Sequence, residues 1–110
     1  MTQISVQQDC ITLINVFTVL PERQQQLIDV LVTATETVMR TLPGFVSANI
    51  HRSMDGTRVT NYAQWRSQSD FEAMLHHPDA MPHMREADQI ATKFEPHLYT
   101  VVSVDEAPGE

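Results

Sequence analysis

The chain predicts an α+β fold of element order β-α-β-β-α-β. Three observations lead there. A nearly continuous apolar run, Cys10 to Leu20, precedes a helical apolar stripe. Two extended runs flank Asp55-Gly56. A second helical stretch is followed by a last β-branched run, His97 to Val104.

Cys10 to Leu20 (CITLINVFTVL) is short and β-branched, which predicts a strand buried on both faces. Pro21 opens a helix at the position where a missing N–H costs nothing. Leu27, Leu31, Ala34, Val38 and Leu42 recur at three- and four-residue spacing and form one apolar stripe, which Pro43-Gly44 ends. Phe45 to Met54 and Thr57 to Arg66 are extended, and Asp-Gly between such runs is a strong hairpin signal. Ser67 or Ser69 caps a short helix through about His76, and His77-Pro78 breaks it. From roughly Ala80 to Lys93 a further helix places Met84, Ala87, Ala91 and Phe94 on one side, with Pro96 ending it.

This is the split βαβ pattern of a ferredoxin-like fold. It fits a single domain over residues 1–110 with a core of about 10–104 between polar tails. Helices cover one sheet face. The other face would carry Phe45, Tyr62 and half of the first strand. Such a patch is large for a monomer, so a homodimer with facing sheets is expected.

A two-residue turn at Asp55-Gly56 would pair Met54 with Thr57, Ile50 with Asn61, Ala48 with Ala63 and Val46 with Trp65. Because side chains alternate, one face collects Val46, Ala48, Ile50, Val59, Asn61, Ala63 and Trp65. Phe45, Ser47, Asn49, His51, Thr60, Tyr62 and Gln64 take the other, toward a dimer partner. Ala48 and Ala63 leave space beneath the helices where a core would carry Leu or Ile. An amide at Asn61 and an indole at Trp65 would border that space, which reads as a small-molecule pocket. Asn15 adds a second amide among Ile11, Leu13, Phe17 and Val19, and a buried amide needs hydrogen-bond partners. Each of these residues also has a structural reading: a Trp packing a core, an Asn satisfying backbone, an Arg85 pairing with Asp88 or Glu86.

Seven basic residues against fourteen acidic leave a net charge of −7, with the basic residues scattered. That disfavours nucleic acid and anionic membranes as partners. Met1 to Asp9 lacks the pattern of a signal peptide, and no apolar run is long enough to span a bilayer. A soluble, cytoplasmic protein is expected. The single cysteine, Cys10, excludes an internal disulfide. His76, His77 and His83 lie near Asp79, but adjacent histidines point apart on a helix and no HxxxH or HExxH pattern occurs, so no metal site is expected. Met39, Met74, Met81 and Met84 suit irregular apolar space or a pocket wall.

The stretch DGTRVTNYAQW, preceded by Pro43-Gly44-Phe45, resembles the antibiotic-biosynthesis monooxygenase family, and most closely its anthrone oxygenases of aromatic polyketide pathways. The likeness runs from about Ile11 to Val104. It implies a dimeric α+β barrel whose subunits each hold a pocket between sheet and helices. It also implies oxidation of an anthrone or hydroquinone to a quinone by molecular oxygen, without metal, flavin or haem. By the same resemblance Asn61, Trp65, Asn15 and Arg85 are the catalytic residues, and Phe71 and Met74 are expected to contact the substrate together with Ala63 and Ala48, the small residues that the register places at the pocket. Some members carry a tyrosine where this chain has Phe71, so that proton donor is missing. Haem-degrading members carry a tryptophan where this chain has Met74 and a histidine one residue away from His83, which argues against haem. The alternative is a non-catalytic module of this fold that binds a small ligand.

Overall fold

The computed structural model describes residues 1–109. Its strands are β1 (Ile11–Thr18), β2 (Phe45–Arg52), β3 (Arg58–Trp65) and β4 (Lys93–Tyr99). Its helices are α1 (Gln24–Thr37), α2 (Gln68–Leu75) and α3 (Met81–Ile90). Single 3-10 turns at Pro21–Arg23 and Met39–Thr41 bracket α1. The strands form one antiparallel sheet in the order β2-β3-β1-β4. This is the ferredoxin-like arrangement expected from the sequence. Among the described residues no helix is long and apolar enough to cross a membrane.

The β2–β3 register is the expected one through its middle, with Ile50 opposite Asn61 and Ala48 opposite Ala63. The turn that sets it is wider than expected. Ser53 and Arg58 close a four-residue loop, with Ser53 N donating to Arg58 O at 3.0 Å and Arg58 N to Ser53 Oγ at 2.8 Å. Asp55 holds this loop from inside. Its Oδ1 accepts from Thr57 N (3.0 Å), Thr57 Oγ1 (2.7 Å) and Ser53 Oγ (2.8 Å). These donors, those of Thr57 foremost, hold the Asp55 carboxyl down at about 2. Gly56 takes φ +81°, which a side chain would resist.

At the far end of the hairpin a β-bulge overturns the expected pairing. Phe45, not Val46, lies opposite Trp65. The extra residue, Val46, is thrown outward and is 45% exposed. Phe45 thereby turns to the helix-covered side, away from the bare face assigned to it. The bulge follows Gly44, whose φ is +83° and whose carbonyl accepts from Arg66 N at 2.8 Å.

The last third of the chain also departs from expectation. Helix α3 stops at Ile90, and Thr92 N donates to Thr18 O at 2.8 Å, which starts β4 at Lys93. Pro96 therefore sits inside β4, opposite Asn15, instead of ending a helix. An edge strand tolerates it because one side of the strand needs no N–H. The expected strand His97 to Val104 is displaced toward the N-terminus by the same shift.

The polar N-terminal tail is part of the fold. Gln64 Nε2 donates to Gln3 O at 2.6 Å, Thr2 Oγ1 to Asn49 Oδ1 at 2.8 Å, and Gln8 Nε2 to Thr12 Oγ1 at 3.4 Å. Gln64 and Thr12 are each only 2% exposed as a result. So Gln64 faces the chain's own N-terminal segment and not a dimer partner.

The core divides into two clusters. Leu13, Ala63, Trp65, Phe71, Met74 and Ala80 form one, and Phe17, Val19, Leu27, Val59, Ala87 and Ile90 form the other. Along β1 the helix-facing side reads Leu13, Asn15, Phe17; along β3 it reads Ala63, Asn61, Val59. Asn15 and Asn61 stand at the division between the clusters.

Candidate active site

Asn15 and Asn61 are direct partners across the β1–β3 ladder. Residues paired in this way hold their Cβ atoms about 5 Å apart, so two amides stand side by side in the middle of an apolar sheet face. Both residues are half-buried. Their Oδ1 atoms are buried, and neither has a hydrogen-bond partner among the described residues. A buried amide oxygen with no partner costs on the order of 1–3 kcal/mol. Structural asparagines avoid that cost, because a satisfied backbone group is what keeps them buried.

A cavity of about 580 Å³ opens at this point between sheet and helices. Pockets for small organic ligands span roughly 300–1,000 Å³. The sheet contributes Asn15, Asn61, Ala48, Ala63 and Trp65, and α2 contributes Phe71 and Met74. Arg85 of α3 joins them. All eight residues singled out from the sequence therefore border one space. The four methionines Met39, Met74, Met81 and Met84 line it as well.

Local structure explains the placement. Ser67 caps α2, its Oγ accepting from Asp70 N at 3.1 Å, and this fixes the entry of the helix. Phe71 and Met74, three residues apart, then share the face turned to the sheet. Trp65 is 2% exposed and packs edge-on against two rings. Its centroid lies 5.6 Å from Phe45 at 90° and 6.4 Å from Phe71 at 65°. Such pairs hold the indole in one orientation. The bulge at Val46 is what brings Phe45 into this stack. Ala48 and Ala63, opposite each other, keep the cavity floor low.

The remaining polar groups sit on α3. His83, Arg85 and Asp88 are the only ionisable side chains among the cavity-lining residues. Arg85 is exposed at the rim and forms no ion pair with Asp88 or Glu86, contrary to its structural reading. Burial pushes the Asp88 carboxyl above its ordinary value. Sequence reasoning missed Asp88, and it missed Phe94, Pro96 and Leu98, which line the cavity from β4. The signal was present in the last three, since they alternate as an extended strand requires.

His51 lies on the opposite face, its Nδ1 3.0 Å from Asn49 O. His77 is engaged in a turn, where its Nδ1 accepts from Asp79 N at 3.1 Å. Among the described residues no group of three or more His, Cys, Asp or Glu side chains is placed to hold a metal ion. Thr35, the one hydroxyl on the cavity wall, donates to Leu31 O at 2.9 Å and is not poised as a nucleophile. The cavity thus offers amides, an indole N–H, one cation and one carboxylate in an apolar shell. It suits a flat aromatic molecule with polar edges, and it can stabilise charge that develops on that molecule.

Known proteins share this architecture. The tetracenomycin-F1 monooxygenase of Streptomyces glaucescens is 54% identical over 83 residues, which are 76% of this chain and 74% of that protein. A monooxygenase of Streptomyces coelicolor, solved in complex with nanaomycin D, superposes with a TM-score of 0.77 at 25% identity, over 90% of this chain and 93% of that one. A cofactor-independent oxygenase of Streptomyces nogalater superposes with a TM-score of 0.71 at 26% identity, over 88% and 97%. Residues 10–89 match the antibiotic biosynthesis monooxygenase family along their whole length, and the chain belongs to that family.

Proposed function

We propose that this chain oxidises an electron-rich polycyclic aromatic, of the tetracenomycin F1 or anthrone type, to a quinone with molecular oxygen and no cofactor. That it is a monooxygenase follows from its family and from its 54% identity to tetracenomycin-F1 monooxygenase. The substrate and the roles of the residues are our reading. The observation that carries the reading is the pair of amides, both with unpartnered oxygens, at the floor of an apolar cavity.

The substrate does the difficult chemistry. A phenolic aromatic that loses a proton becomes electron-rich enough to pass one electron to oxygen. Radical recombination gives a peroxide, which collapses to the quinone. The protein's part is to favour the anion, hold oxygen close and keep water out. Asn61 and Asn15 anchor the substrate's ring oxygens. Trp65 donates a hydrogen bond from a fixed plane. Arg85 adds positive charge at the rim, where the anion develops. Phe71, Met74, Ala63 and Ala48 shape the slot. A homodimer belongs to the same proposal: Ile14, Val16, Tyr62 and Tyr99 lie on the sheet face that the helices leave open, and a second copy would cover them. Sedimentation at micromolar concentration tests that part.

Purified protein, oxygen and tetracenomycin F1, with a panel of anthrones and quinols beside it, tests the rest. Saturable oxygen uptake with matching quinone formation is expected, without added metal or flavin. Binding without turnover would instead make the chain a ligand-binding module. If Asn61→Ala and Trp65→Phe both formed quinone at the wild-type rate, the residue assignment would be wrong.

A further inference from the structure

The oxidation starts with loss of a proton, yet the residues assigned so far are not bases. Neutral amides and an indole do not accept a proton at neutral pH, and a guanidinium already holds its own. The proton needs a destination within reach of the bound substrate. From the geometry of the cavity we infer that the Asp88 carboxylate is that base. It would take the substrate's acidic proton, from a phenol O–H or an anthrone CH2, and later return it to the peroxide. This inference rests on the oxygenase reading above.

Two side chains on the cavity wall are able to accept a proton, His83 and Asp88, and both belong to α3. Their positions along that helix separate them. Asp88 lies in the last turn, where the helix dipole is negative and makes a carboxylate a stronger base. His83 lies in the first turn, at the opposite end of the helix. Asp88 follows Met84 by one turn and adjoins buried Ala87; like Arg85 it is exposed, and it borders the cavity from its rim. Among the described residues it has no ion-pair partner, and no charged group from another element lines the cavity. Partial burial raises its proton affinity, and Arg85, the cation three residues before it on the same helix, makes no ion pair with it. A ligand that filled the cavity would exclude more water and raise it further.

The step balances. The substrate's acidic bond breaks, the O–H of a phenol or a CH2 C–H of an anthrone, its electron pair stays on the substrate as the delocalised oxyanion, and the proton goes to the Asp88 carboxylate. The resulting anion gives one electron to dioxygen, and the substrate radical and superoxide join in a C–O bond. Asp88 returns its proton to the outer oxygen of that peroxide. Loss of the ring C–H proton and cleavage of the O–O bond then release water and leave the new carbonyl. Asp88 ends as it began.

Dithranol, a hydroxyanthrone whose anion absorbs at longer wavelength than its neutral form, tests this under anaerobic conditions. Wild-type protein is expected to bind it at neutral pH and to shift its spectrum to that of the anion. Asp88→Asn and Asp88→Ser should bind it and leave the neutral spectrum. In air both variants should turn over about 10²–10⁴-fold more slowly, the range that one general base contributes. The deficit should shrink as the pH approaches the substrate's own pKa. His83→Asn should keep the anion band. An anion band retained by both Asp88 variants, or lost only in His83→Asn, would overturn the inference. So would wild-type binding and turnover without an anion band. A wild-type protein that neither binds aromatics nor consumes oxygen would overturn the oxygenase reading itself, which is a separable outcome.

Discussion

Replacing Asn61 with leucine should make the protein more stable and nearly inactive. The Asn61 Oδ1 is buried without a partner and is flanked by Val59 on one side and Ala63 on the other, both part of the core. An unsatisfied buried acceptor costs about 1–3 kcal/mol. Leucine of similar shape removes that cost and adds apolar contact. Because Asn61 is half-buried, the low end applies, and a gain of about 1–2 kcal/mol is expected. At roughly 4 °C per kcal/mol for a domain of this size, Tm should rise by about 4–8 °C. Loss of an oriented donor or anchor at the reacting oxygen should cost about 10²–10³ in kcat. Thermal unfolding by circular dichroism and oxygen uptake on the same samples read both quantities. Asn15→Leu should behave alike, and the double variant should gain less than the sum, since the two amides are direct neighbours. A fall in Tm for Asn61→Leu would mean that the amide is satisfied in the folded protein and holds the sheet together. A rise in Tm with full activity would mean that the amide is neither structural nor part of the chemistry.

Gly44→Ala should be strongly destabilising, because φ is +83° there and a Cβ would collide with the Asp70 side chain; a loss of about 2 kcal/mol or more is expected in urea unfolding. The Asp55 carboxyl should titrate by NMR with a midpoint of about 2, and a midpoint at the ordinary 3.8 would contradict the hydrogen-bonded loop. Because its folded value is depressed, the stability it contributes is present above its unfolded value and is lost as pH falls through about 2. Asp88 has the opposite sign: its folded value is raised, so its charged form costs stability at neutral pH and the cost disappears on protonation. Asp88→Asn should therefore melt above the wild type at pH 7, and the gap should close below about pH 4.

How far the sequence reads depends on how much of each element its own pattern determines. The middle of the β2–β3 hairpin was legible because a one-residue slip would have moved every apolar side chain to the wrong face. It held even though the turn has four loop residues and not two, since both turns keep the same pairing. The bulge at Val46 was not legible. Phe45 and Val46 are both apolar, so alternation does not say which of them faces Trp65. What decides it is the left-handed turn at Gly44 and the space available for a ring beside Trp65 and Phe71. The end of α3 failed for a related reason. Met84, Ala87, Ala91 and Phe94 satisfy a helical period, while Phe94, Pro96 and Leu98 satisfy a strand period. Residues shared by two patterns go to whichever tertiary contact wins, and here Thr92 bonding to Thr18 draws the chain onto the sheet edge.

The same logic separates the candidate residues. Those on β3 followed from register, because a strand offers only two faces and the apolar majority names the inner one; Asn15, on a strand read as buried on both faces, came from the resemblance and from being an amide among Ile11, Leu13, Phe17 and Val19. Asn61 and Asn15 were polar exceptions on that inner face, and exceptions to a strict pattern are visible. Asp88 was not an exception to anything. On a helix that also carries Arg85, Glu86 and Gln89, a carboxylate looks like part of a solvated face. Asp88 is indeed exposed; only the packing of α3 over the sheet sets it at the rim of the cavity, and no spacing rule within one helix contains that information. Part of the site is therefore written in periodicity, namely the groups that anchor the substrate. The group we assign to move its proton is set by how the helix docks. In a family with a common sheet and varied helices, differences in proton handling should then accumulate on α3 sooner than on β3.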